Sequence, residues 1–297
     1  MTDTNMGASP EAIEFHYDFG NDFYATWLDE TMTYSAALWP ENRVRDMSLA
    51  DAQRAKLDHH IDFARLEPGD RLLDIGCGWG GLMARAAERK SLGSVLGLTL
   101  SRAQHDWIGA KITDPRIESR LCAWQEFETD EAFSAIISIG AMEHFARPEL
   151  SRADKIRCYD AFFRFCNDHL RDRGRLSIQT IAWMNMASGD ERRHLPGGIF
   201  PESNLPQVLE ILEAADTYFH LIQFSNRPED YSRTLRAWMR NMRCNMDRLT
   251  QAHGTEHVHR YILAFAQFAA GFDNGILGLT RIGFEKRGPN WTRSRTS

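Results

Sequence analysis

Two groups of residues in this chain have types and spacings suited to chemistry. The first is Leu72-Leu73-Asp74-Ile75-Gly76-Cys77-Gly78-Trp79-Gly80-Gly81, an apolar run that ends in an acid and passes into four glycines. A strand finishing near Asp74 and a helix starting near Gly80 would leave a tight turn whose bare backbone can lie directly against a ligand. That position, the carboxyl end of a strand in an open α/β sheet, is where nucleotide-like ligands bind. No Lys-Ser/Thr pair follows the glycines, which excludes a phosphate-cradling loop. The acid lies inside the motif rather than after it, which departs from the dinucleotide pattern. The second group is Ser138-Ile139-Gly140-Ala141-Met142-Glu143-His144-Phe145. It follows an apolar strand and brings a carboxylate and an imidazole, Glu143 and His144, to the same sheet edge.

Two further segments fit a nucleoside. Gly97-Leu98-Thr99-Leu100-Ser101-Arg102-Ala103-Gln104 falls where a second strand ends and a helix begins. Ser101 reads as the helix cap, and Thr99 and Gln104 offer polar groups to a ribose. Cys122-Ala123-Trp124-Gln125-Glu126-Phe127 follows a third strand, and an aromatic beside polar side chains suits a purine face and edge, although a lone Trp there is also ordinary packing.

These residues need a scaffold, and the pattern supplies one. Strands at 71–75, 94–98, 117–122, 133–139 and 174–183 alternate with helices at 80–89, 101–112 and 155–170, the rhythm of a parallel, doubly wound α/β sheet. Before them, a section to about Glu67 is helical, with an amphipathic segment from Ser48 to Leu66. After them, 184–216 is rich in glycine and proline and reads as loop. A strand at 218–225, helices at 229–250 and 255–272 and a strand at 276–285 complete seven strands. The expected organisation is a helical cap (1–66), a Rossmann-like core (67–183), a substrate-roof insertion (184–216), the end of the core with a helical lid (217–287, lid 227–274) and a tail (288–297).

Composition narrows the class. At 297 residues and 43% hydrophobic, the chain can bury a large core. A net charge of −6 argues against a nucleic-acid partner. There is no apolar run of about 18 residues and no signal-like start. Five cysteines without C-x-x-C spacing suit reduced thiols. A cytoplasmic location is expected.

With the D-x-G-C-G-x-G loop the chain resembles class I S-adenosylmethionine methyltransferases. It resembles more specifically the cyclopropane-fatty-acid and mycolic acid cyclopropane synthases. The likeness is carried by His16-Tyr17-Asp18, Asn21-Asp22-Phe23-Tyr24, Leu28-Asp29, Thr33-Tyr34-Ser35, the glycine loop, Gly97 to Ser101, Ser138 to Phe145, Tyr231 with Thr234-Leu235, and Ile282-Gly283-Phe284. The resemblance implies that Tyr17, Tyr34 and Ser35 close over the methionine end of S-adenosylmethionine. Asp74, Gly76, Gly78, Thr99, Leu100, Gln104, Trp124 and Gln125 would hold the rest, and S-adenosylhomocysteine would be the product.

The chemistry so implied is methyl transfer to an alkene, leaving a carbocation that loses a proton. Family members that make cyclopropanes use a bound bicarbonate as the base, held by a cysteine, a histidine, a glutamate, a tyrosine and a backbone amide. The glutamate, tyrosine and amide fall on Glu143, Tyr231 and Ile139. The cysteine position is Ala36 and the histidine position is Gln179. Hydrogen bonds to an ion contribute about 1.5–3 kcal/mol each, so bicarbonate should bind weakly, or Glu143, Tyr17 or Tyr231 should take the proton instead. The stretch between Ile181 and Ile199-Phe200-Pro201, which forms the acyl-channel roof in lipid-acting members, is short and polar. Both departures point to C-methylation of another hydrophobic alkene, such as a terpenoid or polyketide, in a pocket including Ala36, Gln179, Phe200, Trp238 and Met242. The alternatives are lipid cyclopropane synthesis with an altered bicarbonate site, and N- or O-methylation with His144 as base.

Other features carry plainer readings. Arg233, Arg236, Arg240 and Arg243 share one helical face, which suits solvent; docking to an anionic membrane or carrier protein is the other reading. His253, His257 and His259 lack the spacing of a metal site, so no metal is expected. The oligomeric state stays open, a homo-oligomer included.

Overall fold

The computed structural model describes Gly7 and residues 20–42, 46–185 and 204–288. Its centre is a seven-stranded sheet in the order β3-β2-β1-β4-β5-β7-β6. The strands are β1 (Arg71–Ile75), β2 (Ser94–Thr99), β3 (Ile117–Leu121), β4 (Phe133–Ile139), β5 (Leu170–Trp183), β6 (Phe219–Asn226) and β7 (Leu277–Lys286). β1 to β5 pair in parallel, as expected of a doubly wound sheet. β7 runs antiparallel to both β5 and β6. Its direction follows from its approach. β6 ends at the carboxyl edge of the sheet, the lid helices stand on that edge, and the chain re-enters from there, so Leu277 pairs with Trp183 at the end of β5.

Before the sheet lie a short α1 (Asn21–Ala25) and α2 (Leu49–Ala64). Ser48 caps α2, its hydroxyl accepting from the Asp51 N–H at 3.1 Å. Inside the core, α3 (Gly81–Arg89), α4 (Arg102–Lys111) and α5 (Arg152–His169) follow β1, β2 and β4. Ser101 and Ser151 cap α4 and α5 in the same manner. One face of the sheet packs against α5 through Phe162 and Phe163, the other against α2 and α3 through Leu57, Ile61 and Met83.

Within 184–216, read as loop from its glycines and prolines, Val208–Ala215 forms α6. Its Ile211, Ala214 and Ala215 join the α5 side of the core, so burial rather than propensity fixes it as helix. The expected helix 229–250 is two helices, α7 (Pro228–Cys244) and α8 (Met246–His253), separated at Asn245. The Asn245 amide donates to the carbonyls of Asn241 at 2.9 Å and Thr26 at 3.3 Å, a side-chain alternative to helical continuation. α9 (Thr255–Asp273) packs along α7 and completes the lid. Beneath it Phe23, Tyr24, Trp27, Trp238, Tyr261 and Phe265 form one aromatic cluster with Tyr34 at its edge. Among the described residues no helix is long and apolar enough to cross a membrane.

Cap, lid and sheet meet at a buried polar knot. Arg281 of β7 donates from Nη1 to Asp230 of α7 at 2.8 Å, from Nη2 to the Ala37 carbonyl at 2.9 Å and from Nε to Gln179 Oε1 of β5 at 2.8 Å. Arg281 is 1% exposed and Asp230 0%. Removing one partner of a buried ion pair strands the other, at a cost of about 3–5 kcal/mol. Arg281→Met should therefore lower the denaturant midpoint by a corresponding amount without changing the slope of unfolding; urea titration followed by circular dichroism checks it.

Candidate functional site

The glycine turn after β1 opens on a cavity of about 1050 Å³ at the carboxyl edge of the sheet. Gly76 and Gly78 both have positive φ, 80° and 54°. A Cβ on Gly76 would lie 2.7 Å from the Ala141 Cβ, whereas one on Gly78 would meet nothing within 4 Å. Gly76 is therefore required by packing between two loops, and Gly78 leaves its surroundings open.

The structure brings most of the sequence-selected residues to this cavity. Asp74, Gly76, Gly78 and Ile139 form the sheet side, Tyr34 and Ser35 the cap side, and His144 stands beside the Glu143 turn. At the other end lie Thr99, Leu100, Gln104, Trp124 and Gln125. Ser101 is the helix cap, as its sequence position implied. Thr99 donates to Gln104 Oε1 at 2.8 Å, which leaves the Gln104 amide hydrogens uncommitted among the described residues. Gln104 thus presents donors where many methyltransferases present an acid. Trp124 packs edge-on against Phe145 and Phe162 at 5.6 and 5.5 Å, so it is both a core residue and a cavity wall. Tyr17 and Phe200 lie outside the described residues.

Asp74 is 2% exposed, and its carboxylate receives no hydrogen bond from any described residue. Burial pushes its carboxyl up to about 7, against the pull of Lys56. A buried acid facing a cavity without a donor suits a ligand that brings a cation or N–H groups. With a Gly-lined turn, an amide opposite the second strand and an aromatic wall, the cavity fits an adenosyl amino acid.

Glu143 is buried in the short 3₁₀ turn Met142–His144 and does not line the cavity. Its Oε1 accepts from the Ile181 N–H at 2.7 Å, and Oε2 has no partner among the described residues. Burial raises its carboxyl to about 7, opposed by the Ile181 hydrogen bond. His144 is pushed down to about 4 by burial, so its imidazole is a weak base at neutral pH.

The remaining selected residues stand apart from the cavity. Gln179 donates to the Ala36 carbonyl at 3.1 Å and accepts from Arg281, so both ends of its amide are committed. Trp238 and Met242 are fully buried in the aromatic cluster. Tyr231 stacks near Phe272 at a centroid distance of 4.9 Å. His253 and His257 pack against Phe23 at 5.1 and 5.4 Å. Among the cavity residues that escaped the sequence reading is Lys56 of α2, whose Nζ donates to Ser35 Oγ at 2.9 Å. Its signal was phase, since Gln53, Lys56, Leu57 and His60 occupy the buried stripe of an amphipathic helix.

Comparison with known proteins follows the same lines. The sequence model of the family described as mycolic acid cyclopropane synthetase matches residues 5–282. The S-adenosylmethionine-dependent methyltransferase UmaA of Mycobacterium tuberculosis is 35% identical over 265 residues, 83% of this chain and 87% of UmaA. The cyclopropane synthase MmaA2 of Mycobacterium tuberculosis superposes with a TM-score of 0.84 at 28% identity, covering 95% of this chain and 100% of that one. The mycolic acid cyclopropane synthase CmaA1, complexed with SAH and CTAB, superposes at 0.83 with 29% identity, covering 94% and 99%.

Substitutions in the turn separate packing from binding. Gly76→Ala meets a strained φ and a clash, and should destabilise the protein by about 1–3 kcal/mol. Gly78→Ala meets only the unfavourable φ, about 1–2 kcal/mol, yet places a methyl group in the cavity. Both should weaken the calorimetric binding of S-adenosylhomocysteine, and only Gly76→Ala should also cost more stability than its backbone conformation explains.

Proposed function

Because this chain belongs to the mycolic acid cyclopropane synthetase family and is an S-adenosylmethionine-dependent methyltransferase, we propose that it methylates an alkene carbon in a hydrophobic acyl chain, with Glu143 taking the proton. The relatives are named for mycolic acids, which favours a lipid acceptor over the terpenoid or polyketide first suggested by the altered anion positions. Whether a ring or a methyl branch results depends on which proton leaves.

When bound, S-adenosylmethionine supplies an electrophilic methyl group on a sulfonium. An alkene attacks with its own π electrons and needs no prior deprotonation, so the protein's tasks are to hold the chain, exclude water and accept one proton afterwards. Tyr34 serves the first two: it lines the cavity and touches the aromatic cluster, 5.2 Å from the Trp238 ring centroid. Aromatic faces of this kind stabilise a cation by about 0.5–2 kcal/mol each.

The observation that carries the base assignment is the Glu143 carboxylate: buried, anchored at Oε1 by the Ile181 N–H and without a described partner at Oε2. The positions that would hold bicarbonate through a cysteine and a histidine are here Ala36 and Gln179, and Gln179 is spent on Ala36 and Arg281. An internal carboxylate thus replaces a bound one. The N- and O-methylation reading loses weight, because it needs His144 as base and burial has lowered that group's basicity.

Incubation with isotope-labelled S-adenosylmethionine and unsaturated phospholipid vesicles, read by mass spectrometry, should show one labelled one-carbon unit per acyl chain. Label in a water-soluble amine or alcohol instead would overturn the proposal. Glu143 works only deprotonated, so the turnover rate should rise with pH through about 7. Glu143→Gln should lose about 10²–10⁴-fold in turnover while keeping S-adenosylhomocysteine affinity. Added bicarbonate should leave the wild-type rate unchanged, and a strong stimulation would contradict Glu143 as the base.

A further inference from the structure

We infer that Lys56, together with Ser35, holds the α-carboxylate of the cofactor's amino-acid head, while Asp74 faces its α-ammonium. The inference uses the cofactor but not the identity of the methyl acceptor, so it stands apart from the reading above.

Three observations support it. Lys56 and Asp74 are 1% and 2% exposed, carry opposite formal charge and line one cavity. No ion pair within 4 Å joins either of them to any described residue, so neither charge is neutralised by direct contact. Lys56 gives one hydrogen bond to Ser35 Oγ, and an ammonium has three donors to place. Two buried charges of opposite sign, set apart and facing one cavity, match a zwitterion whose ends are reversed. The carboxylate would take the remaining Lys56 donors, and the ammonium the unpartnered oxygens of Asp74.

Lys56 is held for this task. α2 aligns Gln53 one turn before it, and the Gln53 amide donates to the Ser35 carbonyl at 2.9 Å. Ser35 is therefore gripped from one helix at both its carbonyl and its hydroxyl. Asp29 accepts from the Thr31 hydroxyl at 2.6 Å and the Thr31 N–H at 3.1 Å, which orders the cap segment that leads to Ser35. Burial lowers the Lys56 ammonium to about 7 despite the nearby Asp29, and a carboxylate ligand would restore its charge.

The test measures binding, not turnover, on the full chain by titration calorimetry. Three probes share the adenosyl thioether: S-adenosylhomocysteine, its decarboxylated amine analogue, and 5′-methylthioadenosine, which lacks the head entirely. Wild-type protein should bind the decarboxylated analogue at least about tenfold more weakly than S-adenosylhomocysteine. Lys56→Met should weaken S-adenosylhomocysteine by a similar factor and leave 5′-methylthioadenosine unchanged within about twofold. Lys56→Arg should recover part of the loss. Equal wild-type affinity for the first two probes overturns the inference without using any variant, so a Lys56→Met protein that fails to fold leaves it testable. Equal loss for S-adenosylhomocysteine and 5′-methylthioadenosine in Lys56→Met also overturns it, by assigning Lys56 to the cap alone. Failure of the alkene proposal would leave all three measurements unaffected.

Discussion

The position of the cap over the sheet depends on one buried guanidinium. Arg281 reaches the lid at Asp230, the cap at the Ala37 carbonyl and the sheet at Gln179, so three parts of the chain distant in sequence share one cation. Asp230 in turn accepts from the Trp39 N–H at 3.1 Å and from Arg227 at 3.1 Å. Thr234 adds a third tie, accepting from the Ala37 N–H at 3.0 Å and the Trp39 indole at 3.1 Å. Desolvating such a pair is costly, and its attraction offsets the cost only when the remaining donors and acceptors are satisfied. Here they are satisfied largely by the backbone of 36–39. That segment follows Tyr34 and Ser35 directly, so the roof of the cofactor cavity inherits its position from the knot.

The same arrangement fixes the Gln179 side chain. A histidine at this place in β5 could turn a ring nitrogen towards an anion. Gln179 instead bridges Ala36 and Arg281, and its amide supplies a donor to one and an acceptor to the other. An acceptor is what an arginine beneath it requires, so Gln179 and Arg281 are better understood as one unit than as two substitutions. Glu143 Oε2 is left without a hydrogen-bond partner among the described residues.

Much of this was legible in the sequence, for reasons that differ by element. β1 and β4 are short, mostly apolar segments that run into glycine turns, and their limits in the structure are those expected. The glycine turn carried its own punctuation. The direction of β7 was not legible, since a strand's pattern reports burial and not polarity relative to its neighbours. Nor was α6, where Val208-Leu209-Glu210-Ile211 reads equally as strand or helix until Ile211 finds its place against α5. At the site, Asp74, Gly76, Trp124 and Gln125 were found because they adjoin strand ends. Lys56 was missed because a lysine on an amphipathic helix is ordinarily assigned to solvent, and only its phase with Leu57 and Ile61 contradicts that.

The chemistry asks for a particular electrostatic interior, and four titratable groups describe it. Burial raises the carboxyls of Asp74 and Glu143 and lowers the bases Lys56 and His144, each towards its neutral form. In the alkene reaction proposed above, an interior of this kind would offer a carbocation few strong nucleophiles. Burial also holds Glu143 near protonation balance at neutral pH, which the proposed base role would require. Asp74 and Lys56, lying where the zwitterionic head is inferred to sit, would be recharged by that head, whereas Glu143 would stay in an apolar setting. A ligand that carries its own paired charges can thus enter a site otherwise tuned for neutrality, and the division between a polar cofactor end and a dry reacting end follows from which buried groups it partners.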